Sequence, residues 1–200
     1  MKSSLTKIFM CLGFISLVLT IPALKILASG PPPSVGAPLP AVILPAPDNA
    51  NDKGYLGLSG AAPFKIPQVK ANVVIIEIFS MYCPYCQREA PLLNDLYGAI
   101  EGDPGLKGKI KLLGIGAGNS AFEVDVFKKN YNIPFPLFPD EDFKAHKQLG
   151  ETRTPYFIVI KNNEDGSHRV IYSKLGGIQA VETFLKRIME LSGLEKGGAK

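Results

Sequence analysis

The chain has 200 residues, of which 46% are hydrophobic and 20% charged, a composition that supports one folded domain with additional segments. Its formal charge is +4, and Lys2, Lys7 and Lys25 are the only charged residues before position 29. Subtracting these three from the 22 Lys and Arg residues leaves 19, against 18 Asp and Glu residues. The rest of the chain is therefore nearly neutral, and we predict no nucleic-acid partner.

Residues 1–28 have the pattern of a secretory targeting sequence. Two lysines precede a mostly apolar run over residues 8–21, and Ala28 and Ser29 form a small-residue cleavage site. An uncleaved anchor is the alternative, because residues 8–24 approach the length needed to span a bilayer. Under either interpretation the rest of the chain is exported, to the periplasm or another extracytoplasmic compartment, with or without a membrane tether.

Residues 29–56 are predicted to form a proline-rich linker. Residues 31–47 include seven prolines, which favours polyproline II conformations and a semi-rigid spacer of roughly 50 Å when fully extended. An ordered arm packed on the domain is the alternative, and the sequence leaves both open. We predict that the folded domain covers residues 57–192 and that residues 193–200 form a flexible tail.

Strand and helix patterns alternate from residue 73 onward. The first run, residues 73–79, is apolar and β-branched, as expected of a strand buried on both faces. The later elements are predicted as a helix over 84–100, a strand at 110–115, a helix ending at 131, a helix over 140–149, strands at 156–160 and 169–173, and a helix over 178–191. Ser120 and Glu123 form a capping box for the second helix. This order predicts an α/β fold, with a central mixed sheet flanked by helices and a final β-hairpin plus helix.

Cys83 and Cys86 are the only cysteines of the predicted domain, because Cys11 lies in the targeting segment. A disulfide that closes so short a loop would stabilise a fold very little, whereas two cysteines at this spacing suit a redox pair. A structural zinc site needs four ligands, and no second cysteine pair is present. We therefore predict no metal and no cofactor.

The predicted position of Cys83, between a buried strand and a helix, favours a reactive thiolate. The free N–H groups and the dipole of a helix N-terminus stabilise a negative charge and lower a thiol pKa. We predict that Cys83 attacks a disulfide and that Cys86, one turn later, resolves the mixed disulfide. Pro84 suits the first helical position, where its missing N–H costs nothing. Tyr85, between the cysteines, is expected to modulate the stability of the reduced pair.

The segment around the cysteines resembles the active-site segment of the thioredoxin superfamily. It reads Glu77-Ile-Phe-Ser-Met-Tyr-Cys-Pro-Tyr-Cys-Gln-Arg-Glu-Ala-Pro91. In that family a buried acid lies six residues before the first cysteine and a helix proline eight residues after it, and Glu77 and Pro91 match these positions. Tyr82 stands where the family usually has tryptophan. The resemblance covers roughly residues 57–192 and implies a thioredoxin-like fold.

A second match lies downstream, where Thr154 and Pro155 precede an apolar strand. This pair resembles the cis-proline loop of the family, which implies a cis peptide bond and a substrate groove beside Cys83. Together with Tyr82, Pro84 and Tyr85, these two residues are the predicted substrate-binding residues.

Glu77 is the predicted proton acceptor. A carboxyl group in a strand of Val and Ile residues is desolvated, which raises its pKa toward the working pH. Beneath Cys86, it could accept the proton of that thiol as the mixed disulfide resolves. The alternative is a solvated carboxylate at a strand edge without a catalytic role.

The distance along the chain between Cys86 and Pro155 is longer than a plain thioredoxin requires. This length is similar to that of exported TlpA-type and peroxiredoxin-like redoxins, which carry an inserted segment in the middle of the fold. The resemblance implies dithiol–disulfide exchange with protein substrates, more often as a reductase, and an upstream redox partner protein.

Two other functions compete with this interpretation. A peroxiredoxin-like peroxidase needs a hydroxyl group three residues before its reactive cysteine, which Ser80 could supply, and an upstream proline, which the neighbours of Ile76 do not supply. A non-catalytic binding module with a thioredoxin-like fold is the other alternative. The presence of both cysteines, with Glu77 and Pro155, favours the oxidoreductase.

Overall fold

The computed structural model describes residues 30–195. Its elements, in chain order, are β1 (Ile43–Leu44), α1 (Ala50–Leu56), β2 (Phe64–Lys65), a 3-10 turn (Ile66–Gln68), β3 (Val73–Phe79), α2 (Pro84–Glu101), β4 (Ile110–Ala117), α3 (Ala121–Asn130), β5 (Leu137–Asp140), α4 (Lys144–Gln148), β6 (Tyr156–Asn162), β7 (His168–Leu175) and α5 (Val181–Ser192). None of the helices within 30–195 is long and apolar enough to cross a membrane. The predicted targeting segment and residues 196–200 of the predicted tail lie outside the described residues.

The central sheet has five strands in the order β5-β4-β3-β6-β7. Strands β3, β4 and β5 are parallel, whereas β6 runs antiparallel to β3 and forms an antiparallel hairpin with β7. All seven residues of β3 are buried, because this strand has a neighbour on each side and is covered on both faces. The predicted α/β fold is therefore confirmed, with its mixed sheet and its final hairpin and helix.

The side chains of β3 alternate between two cores, as those of any strand must. Val73, Ile75 and Phe79 pack in a core with residues of α2 and α5. Val74 and Ile78 pack in a second core, formed on the opposite face of the sheet. The same alternation directs Glu77 toward the α2 side, which is the side of the cysteines.

The second core is closed by the N-terminal segment. Val42, Leu44 and Leu56 are each at most 2% exposed and pack against this face of the sheet. Strand β1 pairs with β2, and the Gly36 N–H donates to the Val170 carbonyl at 2.8 Å. Residues 30–56 thus form a packed arm rather than an extended spacer, because Leu39, Val42, Leu44 and Leu56 bury their side chains against this face of the sheet.

Strand β5 was not predicted, and α4 is shorter than the predicted helix over 140–149. Pro139 lies within β5 opposite Gly116, and a residue without an N–H is tolerated there because β5 is at the edge of the sheet. Asp140 ends the strand instead of starting a helix. Its carboxylate accepts the N–H groups of Ala145 and His146 at 2.9 and 2.8 Å.

The helix after β4 begins as predicted. The Glu123 N–H donates to the Ser120 hydroxyl at 3.3 Å, and the Glu123 carboxylate accepts the Ser120 N–H at 2.7 Å. This reciprocal pair confirms the predicted capping box. The Glu123 carboxylate also accepts the Tyr82 hydroxyl, so the N-terminus of α3 lies close to the loop that carries the cysteines.

Candidate active site

Cys83 is the N-cap residue of α2, directly after the loop that leaves β3. Pro84 is the first helical residue, as predicted, and the Cys86 N–H donates to the Cys83 sulfur at 3.4 Å. Both cysteines are present as free thiols, with Cys83 half-buried and Cys86 buried. The more accessible sulfur, that of Cys83, therefore lies at the N-terminus of the 18-residue helix α2, which is the positive end of the helix dipole.

The two thiols differ sharply in acidity. Partial burial of Cys83 opposes its ionisation, but hydrogen bonds with the Thr154 side chain and with the side chain and backbone of Cys86 outweigh burial and lower the pKa of Cys83 below that of an ordinary thiol. Burial, together with the nearby Glu77 carboxyl, raises the pKa of Cys86 far above the ordinary value. The structure thus favours a thiolate at Cys83 and a protonated thiol at Cys86.

Glu77 lies in the core on the cysteine side of the sheet and is 3% exposed. Burial raises the pKa of its carboxyl well above the ordinary value, and the neighbouring Glu89 and Cys83 raise it further. Its Oε1 atom has no hydrogen-bond partner among residues 30–195. A buried carboxyl whose pKa is raised in this way can exchange a proton with a nearby group.

The peptide bond between Thr154 and Pro155 is cis, as the resemblance implied. The Cys83 thiol donates to the Thr154 carbonyl at 3.3 Å, which places this loop directly beside the Cys83 sulfur, again as predicted. Pro155 is buried, and its carbonyl accepts the Gly176 N–H at 2.9 Å. Residues that are 71 positions apart in the chain therefore meet at one point of the surface.

Two tyrosines flank Cys83, and each is 67% exposed. The Tyr82 hydroxyl donates to the Glu123 carboxylate at the start of α3. The Arg88 guanidinium lies over the Tyr85 ring, 4.5 Å from its centroid. Both predicted substrate-binding tyrosines thus present aromatic surface to solvent next to the reactive thiol.

Sequence reasoning missed Glu89, a second buried carboxyl near the cysteines. Glu89 is 7% exposed, and its Oε1 accepts the Ile178 N–H at 2.6 Å. Burial raises the pKa of Glu89, and the hydrogen bond from Ile178 opposes that rise. One signal could have revealed it, because Glu89 stands three residues after Cys86 and four before Leu93, on the buried face of the same helix.

Sequence reasoning also missed two amides that hold the loop before Cys83. The Asn119 side chain, fully buried at the end of β4, accepts the Met81 N–H at 2.9 Å. The Gln87 side chain donates to the Met81 carbonyl at 2.8 Å. The backbone N–H and the backbone carbonyl of Met81 are thereby both hydrogen-bonded, which positions the turn that leads into Cys83.

An open groove of about 420 Å³ runs beside the cis-proline loop. It is lined by Tyr85, Arg88, Glu89, Arg153, Thr154, Pro155, Leu175, Gly176 and Gly177. Of the predicted substrate-binding residues, the structure therefore brings Tyr85, Thr154 and Pro155 together in one groove, while Tyr82 lies toward α3. Within residues 30–195, no three His, Cys, Asp or Glu residues cluster closely enough to hold a metal ion.

Two known proteins that are similar to this chain are named thiol-disulfide oxidoreductases. A thiol-disulfide oxidoreductase ResA from Halalkalibacterium halodurans is 25% identical over 126 residues, which are 62% of this chain and 66% of that protein. A second, from Bacillus thuringiensis subsp. konkukian, is 25% identical over 128 residues, which are 62% of this chain and 68% of that protein. The first match thus spans slightly less than two thirds of its relative.

A solved structure supports the fold. The crystal structure of a candidate thiol:disulfide interchange protein DsbE from Chlorobium tepidum superposes with a TM-score of 0.60 at 14% identity, covering 80% of this chain and 99% of that one. At this identity the likeness shows the thioredoxin-like fold. The AhpC/TSA family model matches residues 35–172, more than half of the chain. The chain therefore belongs to the thioredoxin-like AhpC/TSA family.

Proposed function

We propose that the protein is a thiol–disulfide oxidoreductase that exchanges the Cys83–Cys86 dithiol with disulfides of partner proteins. The observation that carries this proposal is the asymmetry of the pair, with an accessible thiol of lowered pKa at a helix N-terminus and a buried thiol of raised pKa behind it. The names of the relatives, which are thiol-disulfide oxidoreductases, support the same reaction.

The reaction has two displacements. The Cys83 thiolate attacks one sulfur of the partner disulfide, and the other sulfur leaves as a thiolate that takes up a proton from water. The Cys86 thiol then loses its proton and attacks the Cys83 sulfur, releasing the second partner thiol. The partner disulfide gains two electrons and two protons, and the protein is left with a Cys83–Cys86 disulfide.

Glu77 is the proposed acceptor for the Cys86 proton. Burial and the nearby Glu77 carboxyl raise the pKa of Cys86, so the charge of Glu77 acts directly on this thiol. Because Cys86 is buried, transfer of its proton to this neighbouring carboxyl is favoured over transfer to bulk water. When the second partner sulfur leaves as a thiolate, the Glu77 carboxyl can give the proton to it.

We propose that the protein acts as a reductase in an extracytoplasmic compartment. The direction is supported by the resemblance to TlpA-type redoxins, and export by the targeting pattern of residues 1–28. Turnover then requires an upstream dithiol protein that reduces the Cys83–Cys86 disulfide. A reduction potential nearer to the value of about −270 mV for thioredoxin than to the value of about −120 mV for DsbA is expected.

Trapping of the mixed disulfide tests the proposal. Cys86→Ala should accumulate partner proteins joined to Cys83, because the resolving thiol is missing. Cys83→Ala should trap none, since Cys86 is buried. These adducts are detected by non-reducing electrophoresis and disappear on addition of a thiol reductant. Adducts through Cys86 in the Cys83→Ala variant would reverse the assignment of the two thiols.

A peroxiredoxin-like peroxidase is the second candidate, because the chain belongs to the AhpC/TSA family. Ser80 lies three residues before Cys83, and its backbone carbonyl accepts the Cys83 N–H at 3.0 Å. Peroxide consumption by the reduced protein, measured beside insulin or peptide disulfide reduction, separates the two activities. We expect disulfide reduction to be much the faster.

A further inference from the structure

The groove beside the cis-proline loop has a basic rim. Arg88 and Arg153 are both exposed and line it from two different parts of the chain. Neither forms an ion pair with any residue within 30–195. The one acid in the lining, Glu89, is buried and engaged by the Ile178 N–H. Two guanidinium groups thus face solvent without a neutralising partner.

The groove adjoins the reactive sulfur. Thr154 lines the groove, and its carbonyl is 3.3 Å from the Cys83 sulfur. A segment whose cysteine reacts with Cys83 must therefore pass the mouth of this groove. The rim also offers apolar surface, because Tyr85 and Leu175 are 67% and 39% exposed.

Arg88 is held in a definite position. Its guanidinium lies over the Tyr85 ring, an arrangement that leaves the N–H groups at the edge of the guanidinium plane free to bind a carboxylate. Less side-chain freedom is then lost when an anion binds. Arg153 directly precedes Thr154, so it follows the path of the loop that the partner segment contacts.

We propose that this groove selects partner proteins in which acidic residues flank the target disulfide, with Arg88 and Arg153 binding the carboxylates. The proposal rests on the proposed thiol–disulfide exchange and names the substrate class of that same site. An extended segment would place its reacting cysteine against Cys83 and its backbone along Thr154, by the logic of strand addition. Acidic flanking residues then reach the two arginines, whereas basic residues are repelled.

Three peptides test this assignment. Each carries one cysteine as a mixed disulfide with a chromogenic thiol, and they differ only in the residues flanking that cysteine, which are Asp, Asn or Lys. We expect the reduced protein to release the chromogenic thiol about 3- to 10-fold faster from the Asp peptide than from the Asn peptide, and most slowly from the Lys peptide. High salt should shrink these differences, because exposed charges are screened.

Variants of the two arginines test whether the preference for the Asp peptide depends on this groove. Arg153→Gln should reduce the ratio of Asp to Lys rates without disturbing the Tyr85–Arg88 contact, and the double variant with Arg88→Gln should bring the ratio close to 1. Arg169→Gln is the matched control, since this exposed arginine lies on β7 opposite Lys161, at the end of β6 away from the loop. Its ratio should equal that of the wild type.

The outcomes distinguish a failure of the acidic preference from a failure of the proposed thiol–disulfide exchange. Release from none of the three peptides would overturn the proposed exchange itself. Equal release from all three would leave the exchange standing and overturn the acidic preference. A preference that survives in the double variant would overturn its assignment to this groove.

Discussion

The two faces of the central sheet are closed by different parts of the chain. Helices α2 and α5 cover one face, and the same face holds Cys86 and receives the Glu77 side chain. The N-terminal arm and α4 cover the other face, where β3 contributes the apolar side chains of Val74, Ile76 and Ile78. The alternation of β3 divides the strand between these two environments.

Because of this difference, substitutions on one face should change the free energy of unfolding, and substitutions on the other should change the reactivity of the thiols. The apolar side chains packed beneath the N-terminal arm lie on the face away from the cysteines, so changes to them should alter the free energy of unfolding. The α2 face contains buried groups that titrate, and these groups lie close to the reactive thiol. Substitutions chosen on each face should therefore change different measured quantities.

Leu56→Ala should have the largest effect on stability. Leu56 is fully buried in the core beneath the N-terminal arm, and replacing a buried leucine by alanine costs about 2–5 kcal/mol of unfolding free energy. The pKa of the Cys83 thiol should not change, because this residue packs on the opposite face. Urea unfolding and a thiol-alkylation titration measure the two quantities.

Val35→Ala is the control for Leu56→Ala. Val35 belongs to the same arm but is 64% exposed, so its loss should change the stability by less than about 0.5 kcal/mol. A shift in the Cys83 pKa in the folded Leu56→Ala protein would show that the two faces are coupled, contrary to this division.

Asn119→Ala should have a smaller effect on stability and a larger one on the reaction. The substitution leaves the Met81 N–H without its partner in the protein, at a cost of about 1–3 kcal/mol. Because Met81 leads into Cys83, the displaced loop should also slow alkylation of the Cys83 thiol. Equal alkylation rates in the folded variant and the wild type would show that Asn119 does not position the reactive thiol.

Glu77→Gln should have the smallest effect, and that effect depends on pH. Burial raises the pKa of Glu77 above its ordinary value of 4.5, so the folded state binds a proton that the unfolded state releases. The stability that this proton contributes is complete below about pH 4.5 and is lost as pH rises toward the folded pKa. The wild type should therefore lose stability relative to the variant as pH rises.

The same variant tests the proposed proton transfer. Resolution of the mixed disulfide should slow about tenfold or more near neutral pH, since Cys86 loses its nearby acceptor. Rapid-quench detection of the mixed disulfide measures this step. Glu182→Gln, which removes an exposed acid from the first turn of α5, is the control. An unchanged pH profile in Glu77→Gln would contradict the assigned role.

Much of the candidate site could be predicted from local patterns. The strand–turn–helix order around Cys83 and Cys86, the first helical position of Pro84 and the capping box of α3 each depend on residues a few positions apart. The cis peptide bond before Pro155 followed from the resemblance of the loop to a known one. These features were predicted because the residues that determine them are neighbours in the chain.

The remaining features depend on contacts between distant residues. Glu89 and Ile178 are 89 positions apart, and Met81 and Asn119 are 38 apart. No local pattern records that these groups meet, since such pairs form only when helices and strands pack. For the same reason, β5 was missed, because Pro139 disfavours a strand unless the strand lies at a sheet edge.

The N-terminal arm shows the same division. The prolines of residues 31–47 favour an extended backbone whether the arm is free or packed, so the sequence alone determined this local preference. Only the tertiary structure decided that the arm is packed, because this requires an apolar face of the sheet that α2 and α5 leave uncovered. The sequence alone also predicted the cysteine pair as a redox site, while the acidity of each thiol was decided by burial and by hydrogen bonds that form only in the folded domain.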